Sequence, residues 1–334
     1  MKAMVLERFA EKLRLRDVKQ PTPGTGEILV QCRAAGLCGS DLKITGGKIK
    51  STPLPIIPGH EIAGDVVAAG DAAGEGLVGR RVVSHLYVSC GACPACAEGK
   101  FNLCSGLRGR LGFELDGGLG EYVVIPAANA VEIPDGVSYV DACVAPCAML
   151  AIYHAINRAA PVAGESVVVL GVGGLGIHGV QFLAGRGLRV VAVDLNPVKL
   201  EKALALGADE AMAFDEFSSR PGPWSVVLDN VGKPDVTAAA HRKLDRSGRQ
   251  VMVAYAPGVP SQFDSEHMHL YETQILGTRN GSLGELRDVM RLMGEGKVRA
   301  IVDAALPLER ANEALETIRA GGCLGRVVVD MGVQ

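Results

Sequence analysis

The chain has 334 residues, 48% of them hydrophobic and 21% charged, with a formal net charge of −3. That length suits two domains and that composition a globular chain, while the absence of a global basic field and an aromatic content of 4% argue against nucleic acid as a partner. No apolar run reaches the ~18 residues of a membrane span, and the first residues lack the apolar core of a signal peptide. The expected compartment is therefore the cytoplasm, where the nine cysteines point to metal or catalysis sooner than to disulfides.

Residues 1–135 read as mostly β. Met1–Leu6, Leu13–Val18, Glu27–Ala34, Ala63–Ala69, Arg80–Leu86 and Glu121–Ile125 are short apolar or alternating runs punctuated by Pro21, Pro23, Gly24, Pro58, Gly59, Gly117 and Gly118. This pattern predicts an irregular barrel or sandwich with loops long enough to carry sites. Within it, Cys38, Ser40 and Asp41 follow Gly36, and His60 and Glu61 follow Gly59. Thiolate, imidazole and carboxylate are zinc-ligand types, and Cys147 is a further candidate. Each of these groups alone has an ordinary structural reading as a core thiol or a satisfied core histidine.

Cys90, Cys93, Cys96 and Cys104 form C-x2-C-x2-C-x7-C in a loop with Gly91, Pro94 and Gly99. Four thiolates suit a closed, structural zinc site. An iron–sulfur cluster takes the same ligands, but no electron-transfer context accompanies these cysteines, which favours zinc. Cys32, Cys143 and Cys323 sit among apolar or small residues and are read as core thiols.

From residue 149 the pattern alternates β and α. The apolar run Val167–Leu170 leads into Gly171, Gly173 and Gly176, a G-x-G-x-x-G whose turn is completed by Gly174 and Leu175. Gly171 permits the tight turn, Gly173 lets a pyrophosphate approach the backbone, and Gly176 lets helix and strand pack closely. Leu175, Val180, Leu183 and Ala184 are the candidate core face of the helix that follows. Its N-terminus offers free N–H groups to phosphates. The next apolar run, Val190–Val193, ends on Asp194, where a carboxylate accepts bonds from ribose hydroxyls. Asn196–Leu206 is a predicted helix, and Ala211–Phe214, Ser225–Asp229, Gln250–Ala254 and Thr273–Leu276 are further strands. Six strands with helical links predict a doubly wound parallel sheet. Helices at Leu283–Met293 and Ala311–Arg319 and a strand at Arg326–Asp330 are too little for a third domain and are expected to rejoin the first.

These motifs together resemble the zinc-dependent alcohol dehydrogenases of the medium-chain dehydrogenase/reductase family, and the resemblance covers essentially the whole chain. It implies a mostly β GroES-like catalytic domain, residues 1–148 and 278–334, interrupted by an α/β Rossmann domain, residues 149–277, that binds NAD. It implies two Zn2+ ions per chain. Cys38, His60 and Cys147 would hold the catalytic ion with Glu61 as a variable neighbour, and Cys90, Cys93, Cys96 and Cys104 the structural one. Asp41 would orient His60, Ser40 would pass the substrate proton, and Arg326 would contact the cofactor pyrophosphate. Lys43 stands where many relatives end the relay with histidine, which puts the pH optimum in question. The implied reaction is hydride transfer between a small alcohol, or its aldehyde or ketone, and NAD(H), by a homodimer or homotetramer. Metal-free enone or quinone reduction and a non-catalytic cofactor-binding role are the alternatives. Lys43, Lys48, Lys50, Arg108 and Arg110 near the first ligands suggest a polar or anionic substrate group, although such charges usually face water. Asp194 implies NAD over NADP, with Arg189 and Lys199 the opposing charges.

Overall fold

The computed structural model describes residues 1–332. The chain forms two compact units, Met1–Leu150 together with the chain from Ser282 onward, and Ala151–Gly281.

The first unit is built on a seven-stranded sheet ordered Val302–Leu306, Arg326–Asp330, Glu27–Leu37, Glu61–Ala69, Arg81–Ser84 and Ala130–Glu132, with Tyr122–Pro126 also paired to Glu27–Leu37. Glu27–Leu37 is long enough to pair with three neighbours, and its apolar alternation ends in a run of four buried residues, Ala34–Leu37. Lys2–Val5 and Arg14–Asp17 stand apart as a two-stranded ribbon. Two apolar cores result, one around Met4, Leu6, Leu37, Ile44 and Leu119, the other around Ile28, Val30, Ile62, Val123 and Ile125. The returning chain contributes the helix Leu283–Gly294, started by a Ser282–Glu285 capping box and burying Leu286, Val289, Met290 and Met293 at helical spacing.

The helical run Tyr139–Ala159, 21 residues, is long and apolar enough to cross a membrane by length and composition. Asp141, Pro146, His154 and Asn157 break its apolar run in the sequence. Since 67% of its apolar window is buried inside the protein, it reads as a core helix.

The second unit is a parallel six-stranded sheet ordered Glu210–Ala213, Arg189–Asp194, Ser166–Leu170, Trp224–Asp229, Leu244–Met252 and Gln274–Gly277. The order reverses between Ser166–Leu170 and Trp224–Asp229, the crevice where doubly wound sheets bind dinucleotides. Val167, Val168, Val169 and Leu170 are buried on both faces, as a central parallel strand requires. The helix after the glycine turn spans Gly176–Leu183 and buries Ile177, Val180 and Leu183. The expected core positions Leu175 and Ala184 are instead its half-buried caps. Cys32 and Cys143 are core thiols, whereas Cys323 is half-buried in the turn after the helix Ala311–Ala320, because that helix ends at Gly321 and turns toward solvent.

Candidate metal centres and dinucleotide turn

Cys38 closes the strand Glu27–Leu37 and caps the helix Gly39–Thr45. Its Sγ accepts the Ser40 N–H at 3.3 Å while its own N–H donates to Asp41 Oδ2 at 2.8 Å, so the local backbone aims both groups inward. His60 precedes the neighbouring strand Glu61–Ala69. Its Nε2 lies 3.4 Å from Cys38 Sγ, and its Nδ1 lies 3.3 Å from Asp41 Oδ1. Glu61 faces Gly36 across the strand pair, and a Cβ on Gly36 would stand 2.2 Å from Glu61 Oε2, so only glycine admits that carboxylate. Cys147 enters from a π turn, Ala145–Met149, an irregularity that often marks a functional position in a helix.

The donor atoms of Cys38, His60, Glu61 and Cys147 all lie within 4.8 Å of one another. Zinc bound tetrahedrally at ~2.3 Å from sulfur and ~2.0 Å from nitrogen gives an S–N edge of about 3.5 Å, which the 3.4 Å Cys38–His60 separation matches. Glu61 Oε2 is buried without a hydrogen-bond partner. The residues therefore fit a cation. A hydrogen bond from Cys147, aided by His60 and opposed by burial, holds the Cys38 thiol well below its ordinary range. Burial opposes charge on His60, yet Asp41 and Cys38 raise it well above the usual imidazole range. Burial pushes Glu61 up to about 7 against the pull of Arg326.

Arg326 Nη2 lies 3.0 Å from Glu61 Oε1 and 3.8 Å from Cys147 Sγ. This pairing is not legible in the sequence, since a strand-borne arginine near the C-terminus carries no local mark of its partner. Phe113 was likewise missed; its ring packs 5.0 Å from that of His60 and carries the Arg110 guanidinium 4.2 Å above it. Arg110 is bound to Glu114, so it adds no net charge beside the site. Ser40 is half-buried on the first turn after Cys38, with Lys43 one turn further on.

The second cluster is as compact. Cys90, Cys93, Cys96 and Cys104 bring their sulfurs together at 3.4–3.8 Å, near the ~3.8 Å edge of a tetrahedral four-thiolate zinc site. Hydrogen bonds from the backbone of Ser105 and Cys96 lower the Cys93 thiol to about 5, which favours the ligating thiolate.

In the second unit Gly171 has φ +84, Gly173 is open, and a Cβ on Gly176 would lie 2.0 Å from the Gly171 carbonyl oxygen. Gly174 and Leu175 complete the turn at half-buried positions. Among the described residues, the one heavy atom within 4 Å of a Gly173 Cβ would be Lys199 Nζ, 3.8 Å away. Asp194 Oδ2 accepts the Val172 N–H at 2.9 Å and Oδ1 the Asn196 N–H at 3.0 Å, fixing the carboxylate at the strand end. Leu170, Gly171, Val193, Asp194, Phe214 and Val231 line a small cavity beside the turn. Arg189 is committed to Glu210 at 2.9 Å.

Residues 24–135 match the alcohol dehydrogenase GroES-like domain and residues 174–295 the zinc-binding dehydrogenase domain. An alcohol dehydrogenase of Geobacillus stearothermophilus is 34% identical over 98% of this chain and 99% of its own. An acryloyl-coenzyme A reductase of Metallosphaera sedula is 30% identical over 98% and 99%. The structure of a cobalt- and zinc-bound thermostable alcohol dehydrogenase from Pyrobaculum aerophilum superposes with a TM-score of 0.91 at 31% identity, covering 99% of each chain. With this fold, these cysteine–histidine clusters and this glycine turn, the chain belongs to the zinc-containing alcohol dehydrogenases of the medium-chain dehydrogenase/reductase family, and it is an oxidoreductase.

Proposed function

We propose that the protein oxidises an alcohol, or reduces the matching aldehyde or ketone, with NAD(H) and two zinc ions per chain. The observation that carries this reading is the convergence of Cys38, His60, Glu61 and Cys147 within 4.8 Å, a mixed donor set unlike the closed four-thiolate one. A zinc ion in the mixed set supplies Lewis-acid stabilisation of a substrate oxygen, and NAD supplies the hydride acceptor. Cys38, His60 and Cys147 would hold the ion. Asp41, 3.3 Å from His60 Nδ1, would fix the ring and the tautomer that leaves Nε2 free to ligate. Arg326 keeps Glu61 turned toward itself, at 3.0 Å. The Ser40 hydroxyl, beside Cys38, passes the substrate proton outward, with Lys43 on the same helix face one turn on.

Gly171, Gly173, Gly174, Leu175 and Gly176 would receive the pyrophosphate, and Asp194 the ribose hydroxyls. The role of Arg326 at the pyrophosphate rests on family resemblance; the ion pair with Glu61 is a second task for the same guanidinium. The chain would act as a homodimer or homotetramer in the cytoplasm. Its small-molecule substrate is a neutral alcohol of modest size, because Arg110 is neutralised by Glu114 and Lys48 and Lys50 are exposed to water.

The test is a panel of alcohols and carbonyls followed by NADH absorbance, alongside metal analysis. Full activity after verified removal of all metal would overturn the reading. A second reading, reduction of an unsaturated thioester, is favoured by the similarity to the acryloyl-coenzyme A reductase. Acryloyl-CoA belongs in the same panel, where turnover of it that excludes alcohols would select that reading.

A further inference from the structure

We infer that Asp65 and Tyr139 are positioning residues that set where Cys147 presents its sulfur. This rests on the proposed zinc ligation by Cys38, His60 and Cys147. Two of those ligands come from adjacent strand ends, and Cys147 comes from a helix that must be docked against them. The helical run Tyr139–Ala159, which carries Cys147 on its π turn, begins with the short helix Tyr139–Ala142, capped by Ser138, whose Oγ accepts the Asp141 N–H at 3.0 Å. Tyr139 donates its hydroxyl proton to Asp65 Oδ1 in a short hydrogen bond. Asp65 lies on the strand Glu61–Ala69, four residues beyond Glu61, and its Oδ2 accepts from Arg33 Nε at 2.7 Å on the strand that ends before Cys38. Arg81, opposite Asp65 on the next strand, stacks 4.4 Å over the Tyr139 ring and donates to the Val137 carbonyl at 2.5 Å. One carboxylate thus joins the His60 strand, the Cys38 strand and the Cys147 helix.

The packed face of that helix explains why such an anchor matters. Ala142, Cys143, Val144, Ala145, Ala148 and Met149 are fully buried, and contacts among small apolar residues are non-directional. A slip of one residue along an α-helix moves a side chain by about 1.5 Å and turns it by about 100°, whereas zinc ligands must hold their distances to about 0.2 Å. The Tyr139–Asp65 bond supplies the direction that the apolar face does not.

The experiment uses the full-length, zinc-loaded protein. Metal transfer to a chromophoric chelator is followed in wild type, Tyr139→Phe and Asp65→Asn, with Cys147→Ser identifying the phase that belongs to the mixed site. Tyr139→Phe keeps the ring under Arg81 and removes only the hydroxyl. The expected result is about tenfold faster release from the mixed site, the scale of outer-sphere effects on metal affinity, with the four-thiolate phase unmoved. The cobalt-substituted variants should also show shifted d–d bands. General destabilisation would instead speed both phases and overturn the inference, as would release rates and cobalt spectra in both variants that coincide with wild type. If Cys147→Ser removes no phase, the mixed site itself is refuted and the inference with it. Loss of activity in Cys147→Ser with both metal phases retained would point to that same failure of the reading, separate from any result for Tyr139.

Discussion

Arg326 Nη2 stands 3.0 Å from Glu61 Oε1, with Glu61 fully buried and Arg326 only 5% exposed. Two strands that are far apart in sequence thus place a guanidinium against the carboxylate beside the zinc-type donors. Breaking a buried pair leaves an uncompensated charge, at a cost of about 3–5 kcal/mol. Arg326→Met should therefore lower the unfolding free energy of the cofactor-free protein, measured by urea titration, by up to that scale, less where Glu61, already at about 7, takes a proton instead, and adding Glu61→Gln should recover most of the loss. An arginine that served only the cofactor would leave cofactor-free stability unchanged.

The two cysteine clusters should separate on mutation. Cys38→Ser removes a ligand from the mixed set, and losing several kcal/mol of Lewis-acid stabilisation lowers turnover by about three orders of magnitude. The fold should remain, since the core around Leu37 and Ile44 does not depend on that sulfur. Cys96→Ser breaks the four-thiolate set, where metal binding contributes directly to folding, and should reduce soluble yield and thermal midpoint first. Metal analysis should give close to two ions per chain in wild type and one in each variant. Equal losses of activity and stability in both variants would reject the division of roles.

The dinucleotide turn makes a sharper steric prediction. Gly176→Ala places a methyl group 2.0 Å from the Gly171 carbonyl oxygen, so the turn must open. NAD affinity measured by calorimetry should fall at least about tenfold, with a stability cost of about 1–3 kcal/mol. Asp194→Ala should shift the ratio of catalytic efficiencies toward NADP by about tenfold or more, since a like-charge contact near the surface is worth about 1–4 kcal/mol. An unchanged cofactor ratio in Asp194→Ala would contradict this account.

Local pattern made much of this molecule legible. The apolar run Val167–Leu170, the glycines after it and Asp194 lie within one strand–turn–helix–strand unit, so periodicity and spacing revealed the parallel sheet. The four cysteines at 90–104 were legible for the same reason. Val302–Leu306 was not, because its alternation of half-buried and exposed residues is weak and its partner strand supplies the register. Contacts made only by the fold stayed hidden. Tyr139 and Asp65 are 74 residues apart, and neither residue type at its position suggests the other. Cys323 misled because small neighbours look alike in a core and in a turn.

His241 offers a pH test well away from the metal-type donors. It is fully buried, and its Nε2 lies 3.1 Å from Thr273 Oγ1. Phe263 packs edge-on at 5.2 Å and His267 at 5.7 Å. Burial, with His267 and Arg242, holds the imidazole below its ordinary range, against the pull of Asp264 and a hydrogen bond with Gln250. The unfolded chain therefore binds a proton at this position at a higher pH than the folded one. Stability from neutral His241 is complete above about pH 6.5, the unfolded value. It declines as the pH falls from there toward the lower folded value, because the unfolded state gains the proton first. His241→Gln keeps a polar group for Thr273 and removes the titration. Urea midpoints at about pH 7.5 and pH 5.5 should then differ less in the variant than in wild type. Parallel curves for the two proteins across that range would show that His241 titrates alike in both states and would refute the linkage.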